Sequence, residues 1–538
     1  MFNVSEDILE EIKNYDEKIL PYEQLGAIEP TTFLEELLSW KEKWHHKTAV
    51  IFDDKRITYG QLEEKTRHLA NGLYARGIRK GDHAVMHMGN SIHFVIVLFA
   101  LFRMGVKPVM MLNTHRENEL KAIMKRVEPK VYFTSNFVLG TDFAEIAKNV
   151  ITQWEEQILV ISEEPGEGFL SLEEIYQQKD EPIEPPYYKE TALYLLSGGT
   201  TGVPKVIPKS HAGYICNTKL TAKRCGINEN TVYMAVLSIA HDYPLCSPGI
   251  LGTMVNGGTV VLAQSPDPEE AFSLIRKYKV TAMSLVPAIV QIWMEFYEFE
   301  EQDIDSIQQI LVGAAKLEEE LGRALIDTFG CKLIQGYGLG EGITCFTSPE
   351  DDIEVSLYTH GRPVSKYDEI KIVDEEGKEV RTGAYGELLQ KGPYTFTGYY
   401  HAPELNQNLF TPDGFFKTGD RAKKREDGNI VIAGRVVELI NRAGENVVPS
   451  EIESYLKNVE GIYDAAVVGI ADEELGERTC AFVIVEDSAM KAAAIKEKLK
   501  EQKIAVYKIP DQIIKVKEFP YTNIGKVNKK ELVRQVVS

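Results

Sequence analysis

Nine consecutive residues, Ser197-Gly198-Gly199-Thr200-Thr201-Gly202-Val203-Pro204-Lys205, set three glycines and three hydroxyls ahead of a lysine. Glycine has no Cβ, so the backbone N–H groups of such a run can turn inward around an anion, with the hydroxyls and the lysine as further donors. Polar loops of this composition often serve only as flexible connections. Here apolar runs at 193–196 and 206–208 predict a strand on each side, an arrangement that holds a phosphate cradle in place. The spacing is not Gly-x-x-x-x-Gly-Lys-Ser/Thr, so the surrounding fold is not that of the P-loop nucleotide-binding proteins.

A chain of 538 residues exceeds what one hydrophobic core supports and implies at least two domains. Its net charge of −21, with no basic patch, excludes a nucleic-acid binder, although a few local donors suffice for a nucleotide. Cys216, Cys225, Cys246, Cys331, Cys345 and Cys480 are scattered without a CxxC pair, which argues against a disulfide framework or a zinc site and fits a reducing cytoplasm. Residues 1–18 carry Asp and Glu among their apolar positions, unlike a signal peptide. The most apolar run, 94–102, is about half the length that crosses a bilayer. A soluble, cytoplasmic protein without a membrane partner is expected.

From 30 to 190, strand-like runs at 49–52, 84–86 and 108–111 alternate with amphipathic stretches at 61–77 and 116–126, the pattern of a layered α/β unit. After the glycine-rich loop, 231–239 leads into Ala240-His241-Asp242-Tyr243-Pro244-Leu245-Cys246-Ser247-Pro248-Gly249. A second α/β unit then follows, with strands at 258–262 and 280–286 around a helix at 268–278. Two further strands end in small-residue turns, Gly313-Ala314-Ala315 and Gly336-Tyr337-Gly338-Leu339-Gly340-Glu341. Small residues at the ends of parallel strands let a flat ring lie against the backbone, where open α/β sheets bind ligands. Short strands and turns at 369–400 predict a small β-rich piece, followed by Thr418-Gly419-Asp420 and Gly434-Arg435. The remainder, with helices at 449–457 and 491–502 and strands at 464–470, 479–485 and 513–516, reads as an α+β module ending near Gly525-Lys526.

These motifs, in this order, resemble those of the adenylate-forming superfamily over nearly the whole chain. The resemblance implies an α/β fold with a large N-terminal domain, 1–435, of two α/β subdomains and a small β-rich subdomain, then a small mobile α+β domain, 436–538. It implies attack of a carboxylate on the α-phosphate of ATP with Mg²⁺ bound, giving an acyl-adenylate and pyrophosphate. By the same resemblance Ser197, Gly198, Gly199, Thr200, Thr201, Gly202 and Lys205 hold phosphates, and Gly313, Ala314, Ala315, Gly336, Tyr337 and Gly338 hold the adenine and wall the acyl pocket. Asp420 takes the ribose, Arg435 the ribose or phosphate, Glu341 the magnesium, and Lys526 is the catalytic lysine. His241 lies between the two pockets, and Asp242, Tyr243, Ser247 and Thr344, with Gly313 and Gly336, line that of the acid. The thiol acceptor is expected in trans, either the phosphopantetheine of a carrier protein or coenzyme A.

Within the superfamily, His241 with Tyr243-Pro244-Leu245, Ser247-Pro248-Gly249, Pro393-Tyr394-Thr395 with Gly398-Tyr399-Tyr400, and Asn441-Arg442 with Gly444-Glu445 resemble stand-alone aryl-acid AMP ligases of siderophore pathways, which activate 2,3-dihydroxybenzoate or salicylate. The chain departs from the pattern at Gly340, where relatives carry Thr or Ala, at Val437, where they carry a polar hinge residue, and at Gly336 and Thr344, where aryl-acid enzymes carry apolar residues. It departs most at Asp242, which replaces an asparagine. An ionised Asp about 4 Å from a substrate carboxylate costs about 4 kcal/mol at an effective dielectric of about 20, about a thousandfold in binding, unless it is protonated or faces a cation. A hydroxybenzoate therefore stands first. An amine-bearing acid, such as an aminobenzoate or β-amino acid, and an acyl- or aryl-CoA ligase stand as alternatives.

Overall fold

The structure is a computed structural model that describes residues 6–152, 154, 158–164, 168–197, 204–299, 303–436, 440–442, 445–447, 449–472, 475–487, 489–502, 504, 508–521 and 527–537. Contacts divide the chain into one unit of Met1–Glu369 with Gln390–Phe416, and a second of Ile370–Leu389 with Lys417–Ser538.

The first unit holds two large sheets. The seven-stranded sheet runs, in spatial order, Lys205–Ser210, Thr191–Ser197, Lys107–Met110, His83–His87, Val131–Thr134, Leu159–Ser162 and Leu170–Ser171. All its neighbours are parallel except the first pair, where Thr191–Ser197 and Lys205–Ser210 run antiparallel with Ser197 opposite Lys205. The strands expected on either side of the glycine-rich loop are this pair. The helix Ile92–Met104 is apolar almost all round because it is buried almost all round. It starts at a Ser91 side-chain cap and stops at Gly105, whose φ of 64° suits a residue without a Cβ. No helix among the described residues is long and apolar enough to cross a membrane.

The nine-stranded sheet is parallel through its centre, where Lys332–Gly338, Gln309–Val312, Ala282–Leu285, Val232–Ala235, Thr259–Leu262 and Thr48–Phe52 lie side by side. The strand Thr48–Phe52 corrects the reading of residues 30–190 as one layered unit. Val50 and Ile51 pair with Val260 and Val261, so this early strand belongs to the second sheet. Its local pattern shows only that Ala49, Val50 and Ile51 are buried, and a pattern cannot name a partner so far along the chain. Parallel strand ends converge at Gly313 and Gly336, at the edge of this sheet where Thr344–Phe346 turns back antiparallel on Lys332–Gly338.

A four-stranded sheet, most of whose residues belong to the second unit, orders Glu369–Val373, Gly386–Lys391, Phe416–Lys424 and Ile430–Arg435. Beyond it, Ile462–Asp472 pairs antiparallel with Gly476–Val485, which pairs parallel with Gln512–Lys515. Val467 and Val483 pack with Ile452, Leu456, Ile495 and Leu499 of the helices Pro449–Lys457 and Ala492–Glu501. Val468 and Phe482 face the other way, onto Phe519 and Leu532. Burial of both faces accounts for the unbroken apolar run here, where a one-faced sheet would alternate.

Candidate active site

Two of the residues expected to line the acid pocket, Gly313 and Gly336, come together at the edge of the nine-stranded sheet. Gly313 follows the strand Gln309–Val312, and its N–H donates to the Leu285 carbonyl at 3.3 Å. A Cβ on Gly313 would lie 3.2 Å from Tyr243 Cζ and 3.3 Å from the Gly336 carbonyl oxygen. A Cβ on Gly336 would lie 2.1 Å from Cε1 of Phe346, the residue directly across the strand pair. Close approach of Phe346 thus requires a glycine at 336, whereas Gly313 faces the Tyr243 ring at ordinary to slightly tight contact.

Tyr243 belongs to the short helix Asp242–Cys246, capped by His241, whose Nδ1 accepts from the Tyr243 N–H at 3.1 Å. Its hydroxyl points to the Leu285 carbonyl at 3.5 Å, and burial pushes its pKa far up, so it stays a neutral phenol. Ser247 is buried one turn on, its N–H donating to the Tyr243 carbonyl at 3.1 Å. Thr344 is buried opposite Gly338. His241 is exposed and Tyr337 half-buried. Ala314 and Ala315 are exposed at the end of their strand, Ala314 with a φ of 65° that sequence reading did not foresee at an alanine. Cys246 is buried with Sγ 3.2 Å from Thr218 Oγ1, and burial raises its thiol to about 12.

A second cluster surrounds Glu341. Its carbonyl accepts from Phe396 N–H at 2.7 Å and its Oε1 from the Tyr399 hydroxyl at 2.7 Å. The Lys205 ammonium sits 4.8 Å from the centre of the same Tyr399 ring. Ser197, across the strand pair from Lys205, has a buried Oγ with no hydrogen-bond partner among the described residues. Gly198, Gly199, Thr200, Thr201, Gly202, Val437, Gly444 and Lys526 lie outside the described residues.

Three residues join these clusters that sequence reading did not assign to the site. One is Tyr399 itself. Lys209, 3% exposed, donates from Nζ to the carbonyls of Gly340 at 2.9 Å and Tyr394 at 3.0 Å. Burial lowers its pKa, opposed by the negative charges of Asp242 and, less, Glu341. Tyr214, on the helix His211–Arg224, donates its hydroxyl to Asp242 Oδ1 at 2.6 Å, and its ring centre is 5.8 Å from the Lys209 ammonium. A sequence signal for Lys209 did exist. It stands two residues after Ile207 on a strand, hence on the same face as a core side chain, where a lysine is seldom placed without partners.

In the second unit Asp420 and Arg435 are cross-strand neighbours, with Arg435 Nε 2.9 Å from Asp420 Oδ1. Asp420 is buried, its N–H donates to Thr418 Oγ1 at 3.0 Å, and Arg435 Nη1 donates to the Thr418 carbonyl at 3.1 Å. Gly419, expected in a tight turn, instead lies within the strand Phe416–Lys424, where its φ of 69° bends the backbone just before Asp420. The two residues expected to meet the nucleotide ribose are therefore one ion-paired unit.

The chain is similar to known proteins over nearly its whole length. Residues 37–400 match the family described as AMP-binding enzyme, and residues 451–526 match the AMP-binding enzyme C-terminal domain. The chain is 39% identical over 525 residues to the 2,3-dihydroxybenzoate-AMP ligase of Bacillus subtilis, with 97% of each covered. It is 36% identical over 502 residues to the salicyl-AMP ligase / salicyl-S-ArCP synthetase of Mycobacterium tuberculosis, covering 92% of this chain and 89% of the other. The solved apo structure of Mycobacterium smegmatis MbtA superposes with a TM-score of 0.75 at 34% identity, covering 97% and 98%.

Proposed function

The chain belongs to the AMP-binding enzyme family, an adenylate-forming ligase, and from that premise we propose that it joins a hydroxylated aryl acid of the 2,3-dihydroxybenzoate kind to AMP, using ATP, and passes the aryl group to the phosphopantetheine thiol of a separate carrier protein. The observation that carries the choice of acid is the Tyr243 ring laid against the bare backbone of Gly313, beside the Gly336 carbonyl. A wall made of backbone and faced by an aromatic ring accepts a planar substrate and excludes a branched one. The relatives from Bacillus subtilis and Mycobacterium tuberculosis, whose names specify hydroxylated benzoates, support the same choice.

In the first half-reaction a carboxylate oxygen bonds to the α-phosphorus of ATP, the bond to the β-phosphate oxygen breaks, and pyrophosphate leaves. Both reactants are anionic, so the protein must offset charge and align them. Lys205 and the hydroxyl of Ser197, unpartnered among the described residues, stand at the two ends of the glycine-rich loop and are donors suited to phosphate oxygens. Lys526 would sit between carboxylate and α-phosphate. The ion-paired Asp420 would accept ribose hydroxyls, with Arg435 fixing its orientation. Glu341 offers one carboxylate with its other contacts made by Tyr399 and backbone, which fits magnesium, an ion that takes one or two protein carboxylates and completes its shell with water and phosphate. When bound, the ion would neutralise charge on the departing pyrophosphate. In the second half-reaction a thiolate attacks the acyl carbon and AMP leaves. We place the boundary of the moving C-terminal domain after Arg435.

The test is acid-dependent exchange of labelled pyrophosphate into ATP across hydroxybenzoates, aminobenzoates, fatty acids and α- and β-amino acids. Exchange with 2,3-dihydroxybenzoate or salicylate is expected, followed by loading of a phosphopantetheinylated carrier and not of free coenzyme A. Exchange confined to amine-bearing acids, and abolished by Asp242→Asn, would replace the hydroxybenzoate reading.

A further inference from the structure

The aspartate at the edge of the acid pocket presents an electrostatic problem that the proposed activity leaves unsolved. A carboxylate substrate must come close to a second carboxylate, Asp242, at a cost of about a thousandfold in affinity if that charge stands alone. Asp242 does not stand alone. Tyr214 occupies its Oδ1 at 2.6 Å, and behind the Tyr214 ring lies the buried ammonium of Lys209. That ammonium has no solvent to charge against, and its two described hydrogen-bond partners, the Gly340 and Tyr394 carbonyls, are neutral. A cation buried among neutral acceptors needs an anion nearby, and an anion at a half-buried pocket edge needs a cation.

We propose, building on the aryl-acid reading, that Lys209 is the counter-charge of Asp242. It acts as a positioning residue that makes the pocket tolerate a carboxylate substrate carrying an uncharged ring hydroxyl in place of an amine. Tyr214 conveys the arrangement by donating to one carboxylate oxygen, which leaves the other to accept from the substrate. The pocket thereby obtains an acceptor as strong as a carboxylate without selecting for a cation. Lys209 also holds the carbonyl of the residue immediately before Glu341, so the residue that balances the acid pocket also fixes the turn carrying the proposed metal ligand. A lysine that merely tied two carbonyls together would stabilise the fold and would have no particular relation to the acid.

A double-mutant cycle separates these roles. Lys209→Met, Asp242→Asn and the double variant are made in the full chain, with Lys209→Arg as the charge-preserving control. The KM for 2,3-dihydroxybenzoate and the KM for ATP are measured by pyrophosphate exchange, with thermal melting of all the proteins alongside. Lys209→Met is expected to raise the acid KM at least tenfold when Asp242 is present and less than threefold in the Asp242→Asn background. The ATP KM should change less than threefold throughout, and Lys209→Arg should keep the acid KM within threefold. If Lys209→Met folds poorly, Asp242→Asn added to it should restore the melting transition, because the uncompensated charge is then gone. Equal effects of Lys209→Met in both backgrounds, on KM and on melting, would overturn the proposal while leaving the ligase reading intact. Absence of exchange with every aryl acid in the unmodified protein would overturn the aryl-acid reading. The melting cycle would still decide whether Lys209 and Asp242 are coupled.

Discussion

The two wall glycines are not equivalent, and the difference is large enough to measure. On Gly336 an added Cβ would meet Phe346 Cε1 at 2.1 Å and its Cδ1 and Cζ at 2.6 Å, where carbon atoms rest at about 3.5–4.0 Å. The Phe346 ring would have to shift by more than an ångström, but it is 2% exposed and packed in the main core with Leu311 and Ile334. Overpacking of this kind costs about 1–3 kcal/mol, and Gly336→Ala is expected near the top of that range. On Gly313 the nearest atoms would be at 3.2–3.4 Å, belonging to the Tyr243 ring and the Gly336 carbonyl, and a few tenths of an ångström of give would relieve them. Gly313→Ala should therefore cost about 1 kcal/mol or less, while pushing Tyr243 off its wall and raising the acid KM. Urea unfolding followed by tryptophan fluorescence, together with pyrophosphate exchange, reads both quantities. Phe346→Leu in the Gly336→Ala background supplies the decisive control. Its smaller side chain should recover at least about 1 kcal/mol relative to the sum of the single effects. Additive losses, or a Gly336→Ala protein as stable as the unmodified one, would show that the strand pair opens freely at this point and refute the steric argument.

Other consequences follow from the remaining contacts. Tyr399→Phe removes the hydroxyl that holds Glu341 Oε1; the magnesium concentration needed for half-maximal exchange should rise about tenfold or more, and an unchanged magnesium titration would remove Tyr399 from the site. Asp420→Ala leaves Arg435 without its ion-pair partner and should raise the ATP KM at least tenfold with little effect on the acid KM, both read in the exchange assay. Glu163, whose carboxyl lies inward between the hydroxyls of Ser91 and Ser135, is raised by burial from 4.5 to about 7. Between those pH values the unfolded chain loses this proton while the folded one keeps it, so the contribution of Glu163 to stability is full below 4.5 and falls as pH rises towards 7. The loss amounts to about 3 kcal/mol at most. Glu163→Gln should flatten that part of the stability–pH curve, and identical curves for the two proteins would contradict the assignment.

Local signals foretold the elements better than their partners. The helix 449–457 was legible to the residue because Pro opens it and its apolar positions recur at helical spacing. The sheet of Thr48–Phe52 was not legible, since burial on both faces is the same whichever sheet supplies it. In the site, Tyr243, Gly313 and Gly336 were named from motifs and do come together. Tyr214 could not have been named, because nothing in a helix sequence says that one buried tyrosine reaches a carboxylate on another element. Ala314 was read as one small residue among three, and its left-handed backbone is a tertiary constraint that an alanine does not announce.

The two departures from the family pattern that most affect the site, Gly340 and Asp242, meet on one strand face. Along Lys205–Ser210 the residues 205, 207 and 209 point the same way. Lys205 lies over Tyr399, which holds Glu341. Ile207 Cδ1 comes within 3.1 Å of where a Gly340 Cβ would be, and Leu195 within 3.4 Å, so a side chain at this position would press on both. Lys209 takes the Gly340 carbonyl and, through Tyr214, faces Asp242. The missing hydroxyl at Gly340 is therefore matched to a bulky neighbour and a carbonyl clamp, and the extra charge at Asp242 is matched to a buried ammonium. Each unusual residue is answered from a neighbouring position of the same strand, so Gly340→Thr or Asp242→Asn made singly need not recover a more typical enzyme. A side chain at 340 would press on the Cδ1 end of Ile207, which Ile207→Val relieves, and Asp242→Asn alone would take from Lys209 the stronger of its two anionic neighbours. Paired substitutions, Gly340→Thr with Ile207→Val and Asp242→Asn with Lys209→Met, are the ones the packing and the charge balance favour.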